Sequence, residues 1–432
     1  MDLEVSRSNL KIAWEKIMSK NSIPKIRFKS FSNPWLYTGL KEVKDVRDGT
    51  HSSPKYIDNG YPLVTSKNLT DSGLNLEDVS LISDSDYNEI NKRSKVEVGD
   101  ILLGLIGTIG KPVLVETDGF AIKNVGLIKN GGEIQNQFLL QYLKTNLFNK
   151  YIQIEMAGNT QKFLGLETLR NTKVPVPSPE EQYAIGSLFR TLDDLLSSYK
   201  DNLANYQSLK ATMLSKMFPK AGHTVPEIRL DGFEGEWEKT DLNNATSRVK
   251  SYSLSRDVET NQETALKYIH YGDIHLGKVS RIDDGKLIPY IKPDTKLNEF
   301  LQKGDLIFAD ASEDYKGIAE VAVLASDLPE TIVAGLHTIA VRPKSSFDSI
   351  FLFYMFKTQT FRKYGYKVGT GMKVFGISPS NLMKYEFYYP DKKEQQSLGS
   401  YFSNLDNLIN SHREKISQLE TLKKKLLQDM FI

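Results

Sequence analysis

Ile23 to Phe28 reads I-P-K-I-R-F, and Val225 to Leu230 reads V-P-E-I-R-L. Phe31, Trp35 and Leu40 follow the first phrase; Phe233, Trp237 and Leu242 follow the second. Pairing Pro24 with Pro226, Arg27 with Arg229, Phe31 with Phe233 and Trp35 with Trp237 holds one constant offset. An echo spaced so widely is not a solenoid, whose repeats run roughly 20–50 residues. It is a duplicated domain. Duplication on a rigid connector suits a chain that touches two similar sites at once.

Further echoes carry the repeat to the end of each half. Lys95 to Asp100 (K-V-E-V-G-D), then I-L-L, matches Leu301 to Asp305 (L-Q-K-G-D), then L-I-F. Gly158 to Leu166 matches Thr370 to Ile377. Glu181, Gln182, Gly186, Phe189, Leu192 and Asp193 match Glu394, Gln395, Gly399, Phe402, Leu405 and Asp406. Met217-Phe218 matches Met430-Phe431. The stretches between diverge, so the halves share a frame and differ in content.

The chain has 432 residues, enough for two or three domains with their own cores. No run approaches the roughly 18–20 apolar residues of a membrane span. The acidic, then amphipathic start does not read as a signal peptide. Cys 0 rules out disulfides, thiolate catalysis and thiolate–zinc sites. A cytoplasmic protein is expected, with no membrane partner. The net charge of +2 does not announce a nucleic-acid binder, so a DNA-facing surface must come from local segregation of charge.

The pattern divides the chain into an N-terminal helical segment (1–22), a mixed α/β domain (23–177), a helical spacer (178–220), a second α/β domain (221–391) and a second helical spacer (392–432). The fold class is α+β with internal pseudo-two-fold duplication. An amphipathic helix is predicted over residues 6–20, strands over Tyr61 to Thr65, Asp100 to Ile106 and Pro112 to Glu116, and one helix from Asn136 to Glu155. Val174 to Gln182 (V-P-V-P-S-P-E-E-Q) ends a strand and starts a helix: Ser178 can cap it, Pro179 suits its first turn, and two glutamates favour its positive end. The first rod carries a seam through Leu188, Leu192, Leu195, Tyr199, Asn202, Tyr206, Leu209 and Met213. The second carries one through Leu398, Phe402, Leu405, Ile409, His412, Ile416, Leu419, Lys423 and Leu426. Such rods are poorly stable alone. They pair antiparallel in a coiled coil, or each folds back on its own domain.

Catalytic signatures are weak. Gly104 to Lys111 (G-L-I-G-T-I-G-K) lacks the Ser or Thr a P-loop places after its lysine, since Pro112 follows. It remains a turn that can bring Lys111 to a polyanion. His270, Asp273 and His275 suggest a metal, but their echo, Leu63 to Leu69, has no histidine or carboxylate. Asn33-Pro34-Trp35 lacks the second proline of an amino-methyltransferase motif, and Trp35 and Trp237 read as structural anchors. No enzyme activity and no metal are expected in this chain.

The polar loops carry more. Asp48 to Tyr56 (D-G-T-H-S-S-P-K-Y) gathers hydroxyls, an imidazole, a lysine and an aromatic. Asn159 to Lys162 and Gly369 to Lys373 are similar. These side-chain types pair with base edges and phosphates. As solvated loops they would be unremarked, but they recur at the same places in both copies.

The P-x-I-R…F…W openings, the D-G-T-H-S-S-P-K-Y loop, V-G-D-I-L-L…G-T-I-G-K, and the P-x-P-x-E-Q start of the first rod resemble the DNA-specificity subunits of type I restriction–modification systems. The resemblance spans nearly the whole chain. It implies two target-recognition domains, each reading half of a bipartite double-stranded DNA target, on an antiparallel coiled coil that sets their distance. It implies a non-catalytic subunit that docks two methyltransferase subunits and two motor-nuclease restriction subunits. Adenine methylation with S-adenosylmethionine, and cleavage with ATP and Mg, belong to those partners; no cofactor is expected here. The second half departs from the pattern, with Ser251 to Arg256 and Ala311 to Gly317 in place of the D-G-T-H and G-T-I-G-K runs. The expected DNA-binding residues are Thr50, His51, Ser52, Lys55, Tyr56, Ser66, Lys67, Asn68, Lys111, Thr160, Gln161 and Lys162 in the first half. In the second they are Tyr271, Asp273, His275, Ser312, Lys316, Thr370, Met372 and Lys373. The rival reading is a protein adaptor with two divergent binding domains on a coiled-coil spacer, which near-neutral charge favours.

Overall fold

The computed structural model describes residues 23–156, 163–312, 319–369 and 375–431. The helix predicted over 6–20 lies outside them. The chain splits into two compact units, Met1–Lys200 with Glu414–Ile432, and Asp201–Arg413.

In the first unit, β1 (Leu36–Gly39) pairs antiparallel with a strand at Lys173–Val176 and so ties the two ends of the domain together. Its main sheet is antiparallel, in the order Val46–Asp48 (β2), Val125–Ile128 (β5), Ile101–Gly104 (β3), Pro112–Leu114 (β4). β3 reads I-L-L-G and is buried throughout. A continuous apolar run suits a strand covered on both faces. Ile101 and Leu103 join the core of Trp35, Phe138 and Tyr142, while Leu102 joins Val64, Val113 and Leu127 on the other face.

The helix predicted from Asn136 to Glu155 is two helices, α1 (Asn136–Leu143) and α2 (Asn146–Met156). Thr145 is the cause: its Oγ1 accepts the Phe148 N–H at 3.2 Å and starts a new helix.

The second unit repeats this plan. Its main sheet orders Thr246–Val249 (β6), Thr338–Pro343 (β9), Leu306–Ala309 (β7), Val321–Leu324 (β8) and a short strand at Arg281–Ile282. Leu306 and Phe308 face the core of Trp237 and Phe351; Ile307 and Ala309 face the opposite cluster. Thr358 separates two helices as Thr145 does, accepting the Phe361 N–H at 3.5 Å.

Two long helices, α3 (Pro179–Lys216) and α4 (Lys392–Asp429), have 38 residues each, about 57 Å at 1.5 Å per residue. Their first turns explain the repeated Glu-Gln. Glu181 is buried and takes Arg27 Nε and Nη2, both at 2.6 Å, and Trp35 Nε1 at 3.1 Å. Glu394 takes Arg229 Nε at 2.8 Å and Nη2 at 2.6 Å, while Trp237 Nε1 has no partner among the described residues. Gly186 and Gly399 permit close approach: a Cβ would stand 3.1 Å from Gln137 Cβ at the first and 3.3 Å from Ile350 Cβ at the second.

In the first unit, Asp193 of α3 pairs with Lys423 of α4, and Lys200 with Glu420, so the helices run antiparallel there. In the second, Tyr206 meets His412 with ring centroids 5.2 Å apart, and Lys210 pairs with Asp406, in the same sense. The end of each helix then seals a domain. Met430 and Phe431 enter the first unit's core, and Met217 and Phe218 the second's. The Ile26 N–H donates to Asp429 O at 3.0 Å, and the Ile228 N–H to Lys216 O at 2.9 Å.

The predicted α4 seam is buried or half-buried at every position, but the α3 seam needs correction. Leu195, Asn202 and Leu209 are exposed, and Leu196, Leu203 and Lys210 take their place between Leu192, Tyr199, Tyr206 and Met213. Both choices step by 3 and 4, so periodicity alone does not separate them.

Candidate nucleic-acid interface

Hydrogen bonds draw the loops at one end of each main sheet into a rim. In the first half, Thr50 bridges Lys123, and its N–H donates to Ile122 O at 3.0 Å. His51 spans Asn124 Oδ1 at 2.8 Å and Asp48 Oδ2 at 2.9 Å, with its side chain 61% exposed. Arg93 holds the other oxygen of the buried Asp48. Ser66 Oγ donates to Asn124 O at 3.4 Å. Ile106 bridges Phe163, and the Leu164 N–H donates to Leu105 O at 2.8 Å.

The second half builds the same rim from other groups. His337 Nδ1 meets Asp310 Oδ1 at 3.1 Å, and Tyr271 packs edge-on to His337 at 5.4 Å. Burial pushes the Asp310 carboxyl up. The Ile377 N–H donates to Asp310 O at 2.8 Å, so Ile377 stands where Leu164 stands, two positions from the Leu166 that the echo had paired with it. Arg256 grips the buried Asp273 at 2.9 and 3.1 Å and Glu259 at 2.7 Å. Burial, and next Arg256, pull the His270 pKa down.

Asn124 and His337 are equivalent. Each precedes the second strand of its main sheet, and each has a left-handed φ, 54° and 55°. Left-handed backbone costs a non-glycine residue roughly 1–2 kcal/mol and clusters at functional sites.

The predicted residues divide by burial. His51, Ser52, Lys55, Tyr56 and Lys67 are exposed, and Thr50 and Tyr271 are half-buried on the rim. Lys67 lies 3.6 Å from Asp78. Ser66, Asn68, Asp273 and Ser312 are buried, against the expectation of surface donors. Asn68 Oδ1 accepts the Thr65 N–H at 3.0 Å, and Nδ2 donates to Asp78 O at 2.8 Å, which fixes the turn Ser66–Asn68. Asp273 occupies the matching place after His270, whose Nδ1 accepts the Gly272 N–H at 3.1 Å. Ser312 Oγ lies 3.3 Å from His275 Nδ1. Among the described residues no group of three His, Asp or Glu is placed to hold a metal. Lys111 faces a cleft beside the rim, paired with Asp71 at 2.8 Å. Thr160, Gln161, Lys162, Lys316, Thr370, Met372 and Lys373 lie outside the described residues. Sequence reasoning missed Arg93, Lys123, Asn124, Arg256, Asp310 and His337, and the exposed apolar pair Ile106 (44%) and Phe163 (48%).

The family described as "Type I restriction modification DNA specificity domain" matches twice, over residues 33–205 and 256–421. The chain belongs to this type I DNA-specificity family. The double match is the internal repeat seen in both sheets. Among curated proteins, the type I restriction enzyme MjaVIII specificity subunit of Methanocaldococcus jannaschii is 21% identical over 78% of this chain and 79% of its own. The putative MjaX specificity subunit of the same organism is 23% identical over 91% and 92%. The crystal structure of a type I restriction–modification S subunit from M. genitalium covers 95% of this chain and 99% of its own, with TM-score 0.59 and 14% identity, a likeness of fold. As a specificity subunit, the chain serves DNA target recognition. Among the described residues no helix is long and apolar enough to cross a membrane.

Proposed function

We propose that this specificity subunit reads a bipartite duplex target, one half-site with each rim. The two long helices pair as an antiparallel coiled coil and set the distance between half-sites. Approximate two-fold symmetry puts the half-sites on opposite strands. The subunit is a non-catalytic scaffold of the cytoplasm. Its helices and the bases of its domains dock two methyltransferase and two motor-nuclease subunits, which use S-adenosylmethionine, ATP and Mg; this chain holds no cofactor of its own.

The observation that carries the reading is one rim built twice with different contents. Where His51 meets Asn124 in the first half, His337 meets Asp310 in the second. Equal backbone placement with unequal donors and acceptors is what two readers of different sequences need.

Single-molecule methylome sequencing of cells expressing this chain with its methyltransferase tests it. A bipartite methyladenine motif is expected; a continuous motif, or none, refutes it. Salt-dependent binding to random duplex separates it from the protein adaptor, which would show none.

A further inference from the structure

The two halves can be read against each other at one place below the rim. In the second unit, Glu320 stands just before β8, and its C=O accepts the Ala309 N–H at 2.8 Å. Its carboxylate takes Lys357 Nζ at 2.9 Å and Arg362 Nη2 at 2.9 Å. Beside them Asp406 holds Lys210 and accepts the Tyr354 O–H at 2.7 Å. Every cation there has its counter-ion within the unit.

In the first unit the same backbone places carry different charge. Lys111 stands just before β4, and its C=O accepts the Gly104 N–H at 3.3 Å, so Lys111 occupies the place of Glu320. Lys144 follows α1 and precedes Thr145, as Lys357 precedes Thr358. Asn149 takes the place of Arg362, and Lys423, paired with Asp193, that of Lys210.

An ammonium thus replaces the carboxylate that neutralises the second unit. The result is a cleft of about 400 Å³ whose lining includes Lys111, Lys144, Lys423, Asn149, Thr108 and Asp71. Asp71 holds Lys111 at 2.8 Å and is itself 94% exposed. Lys144 makes no ion pair among the described residues. Its pKa is held down by burial and then by Lys423, against opposing attraction from Asp193 and Asp71.

We propose that this cleft binds a phosphate of the DNA backbone, a contact made by the first half alone. The inference rests on the DNA-reading function above. The Lys111 and Lys144 ammoniums, the Asn149 amide and the Thr108 hydroxyl are donors suited to non-bridging phosphate oxygens. The turn from Gly104 to Lys111 links the cleft to the rim: its exposed Ile106 bridges Phe163 there, and its last residue lines the cleft. A duplex seated on the rim therefore runs beside the cleft mouth. Free phosphate has the same chemistry, and the test separates the two sources.

The test compares the full wild-type chain with K111E and K144M, each with its methyltransferase, on specific and random duplex from 50 to 300 mM salt. K111E installs the second half's charge arrangement, so the variant is expected to fold with a thermal midpoint at least equal to wild type. Both variants should weaken specific and random DNA alike, about tenfold at 0.1 M salt, and lower the salt slope by about one for K144M. Sequence preference should not move. Unchanged affinity and slope in both variants, with wild type still binding, overturns the cleft proposal and leaves the DNA-reading function standing. Absence of salt-dependent binding in wild type refutes that function itself. Inorganic phosphate at constant ionic strength is the second arm. Stabilisation of wild type but not K144M, with equal DNA slopes, overturns the DNA source in favour of a free anion. Weakened methyltransferase assembly with unchanged DNA binding overturns it in favour of an acidic protein surface.

Discussion

Truncating Phe431 to alanine should unlock the first domain, although this residue follows that domain by the whole second half of the chain. Phe431 is 1% exposed and lies among Phe138, Trp35, Phe189 and Tyr142, with ring centroids 5.4, 6.0, 6.1 and 6.3 Å away. Phe→Ala in a packed core costs about 3–5 kcal/mol. That is a large part of the roughly 5–15 kcal/mol that holds a typical domain folded. At about 1.4 kcal/mol per factor of ten, the innermost amides should lose roughly two to three and a half decades of hydrogen-exchange protection. The affected strands are β3 and β5, with those of the second unit spared. F218A should give the mirror result in β7 and β9, because Phe218 lies 5.6 Å from Phe351 and 5.8 Å from Phe402. F431L, which keeps most of the volume, should cost less than about 1.5 kcal/mol. Equal loss in both units on F431A, or no loss in the first, refutes the idea that each helix end seals one core.

Three further outcomes follow from particular contacts. R229A leaves the buried Glu394 carboxylate unpaired and should cost about 3–5 kcal/mol in urea unfolding, with R229A/E394Q recovering much of it. R27A should be milder because Trp35 still donates to Glu181; a larger loss in R27A contradicts this. The His270 pKa lies below its unfolded value, so its contribution is complete above about pH 6.5 and is lost as pH falls, when the unfolded chain takes the proton. H270Q should therefore flatten the fall in stability between pH 7.5 and 5, with Arg256, Asp273, Glu259 and His337 unchanged around it; an equal slope in both proteins excludes that role. Finally, seven residues inserted after Asn202 in α3 and seven after His412 in α4 preserve the seam and add about 10 Å, roughly three base pairs. Methylome sequencing should find a spacer longer by that amount, and an unchanged spacer rejects the ruler.

What was legible in the sequence is what repeats. The Arg27 and Arg229 echoes, Glu-Gln, glycine and Met-Phe all proved to be contacts that close a domain, because a contact built twice leaves the same residues at both places. In the turn Ser66–Asn68 only Lys67 is exposed; the burial of Asn68 follows from T-x-x-N, the spacing of a residue pair that caps its own turn. Thr145 likewise signalled a helix start inside an apolar stripe, and T-x-x-F at Thr145 and Thr358 marks both breaks. The first seam was ambiguous because Leu195 and Leu196 are both leucines, and only packing chooses between them. Asn124 and His337 were invisible for another reason. A left-handed φ leaves no periodic trace, and the contact of His51 with Asn124 joins residues far apart in sequence.

The division into frame and content has a physical basis in how each domain is closed. Gln182 Oε1 accepts the Gln135 N–H at 2.8 Å, while its Nε2 donates to Pro177 O at 3.0 Å and Glu133 O at 3.2 Å. Gln395 repeats this with the Asp348 N–H at 2.8 Å, Pro390 O at 2.9 Å and Ser346 O at 3.3 Å. These buried amides satisfy backbone groups where the domain meets its helix, and neither touches the rim. A buried donor left unmade costs about 1–3 kcal/mol, so these positions tolerate little change. Rim side chains such as His51 and His337 are exposed, where substitutions usually alter stability by under about 0.5 kcal/mol. The fold therefore constrains the residues that hold each domain shut and leaves those that face a ligand open to change. On this argument two halves that diverged everywhere between the echoes can still fold alike while reading different partners.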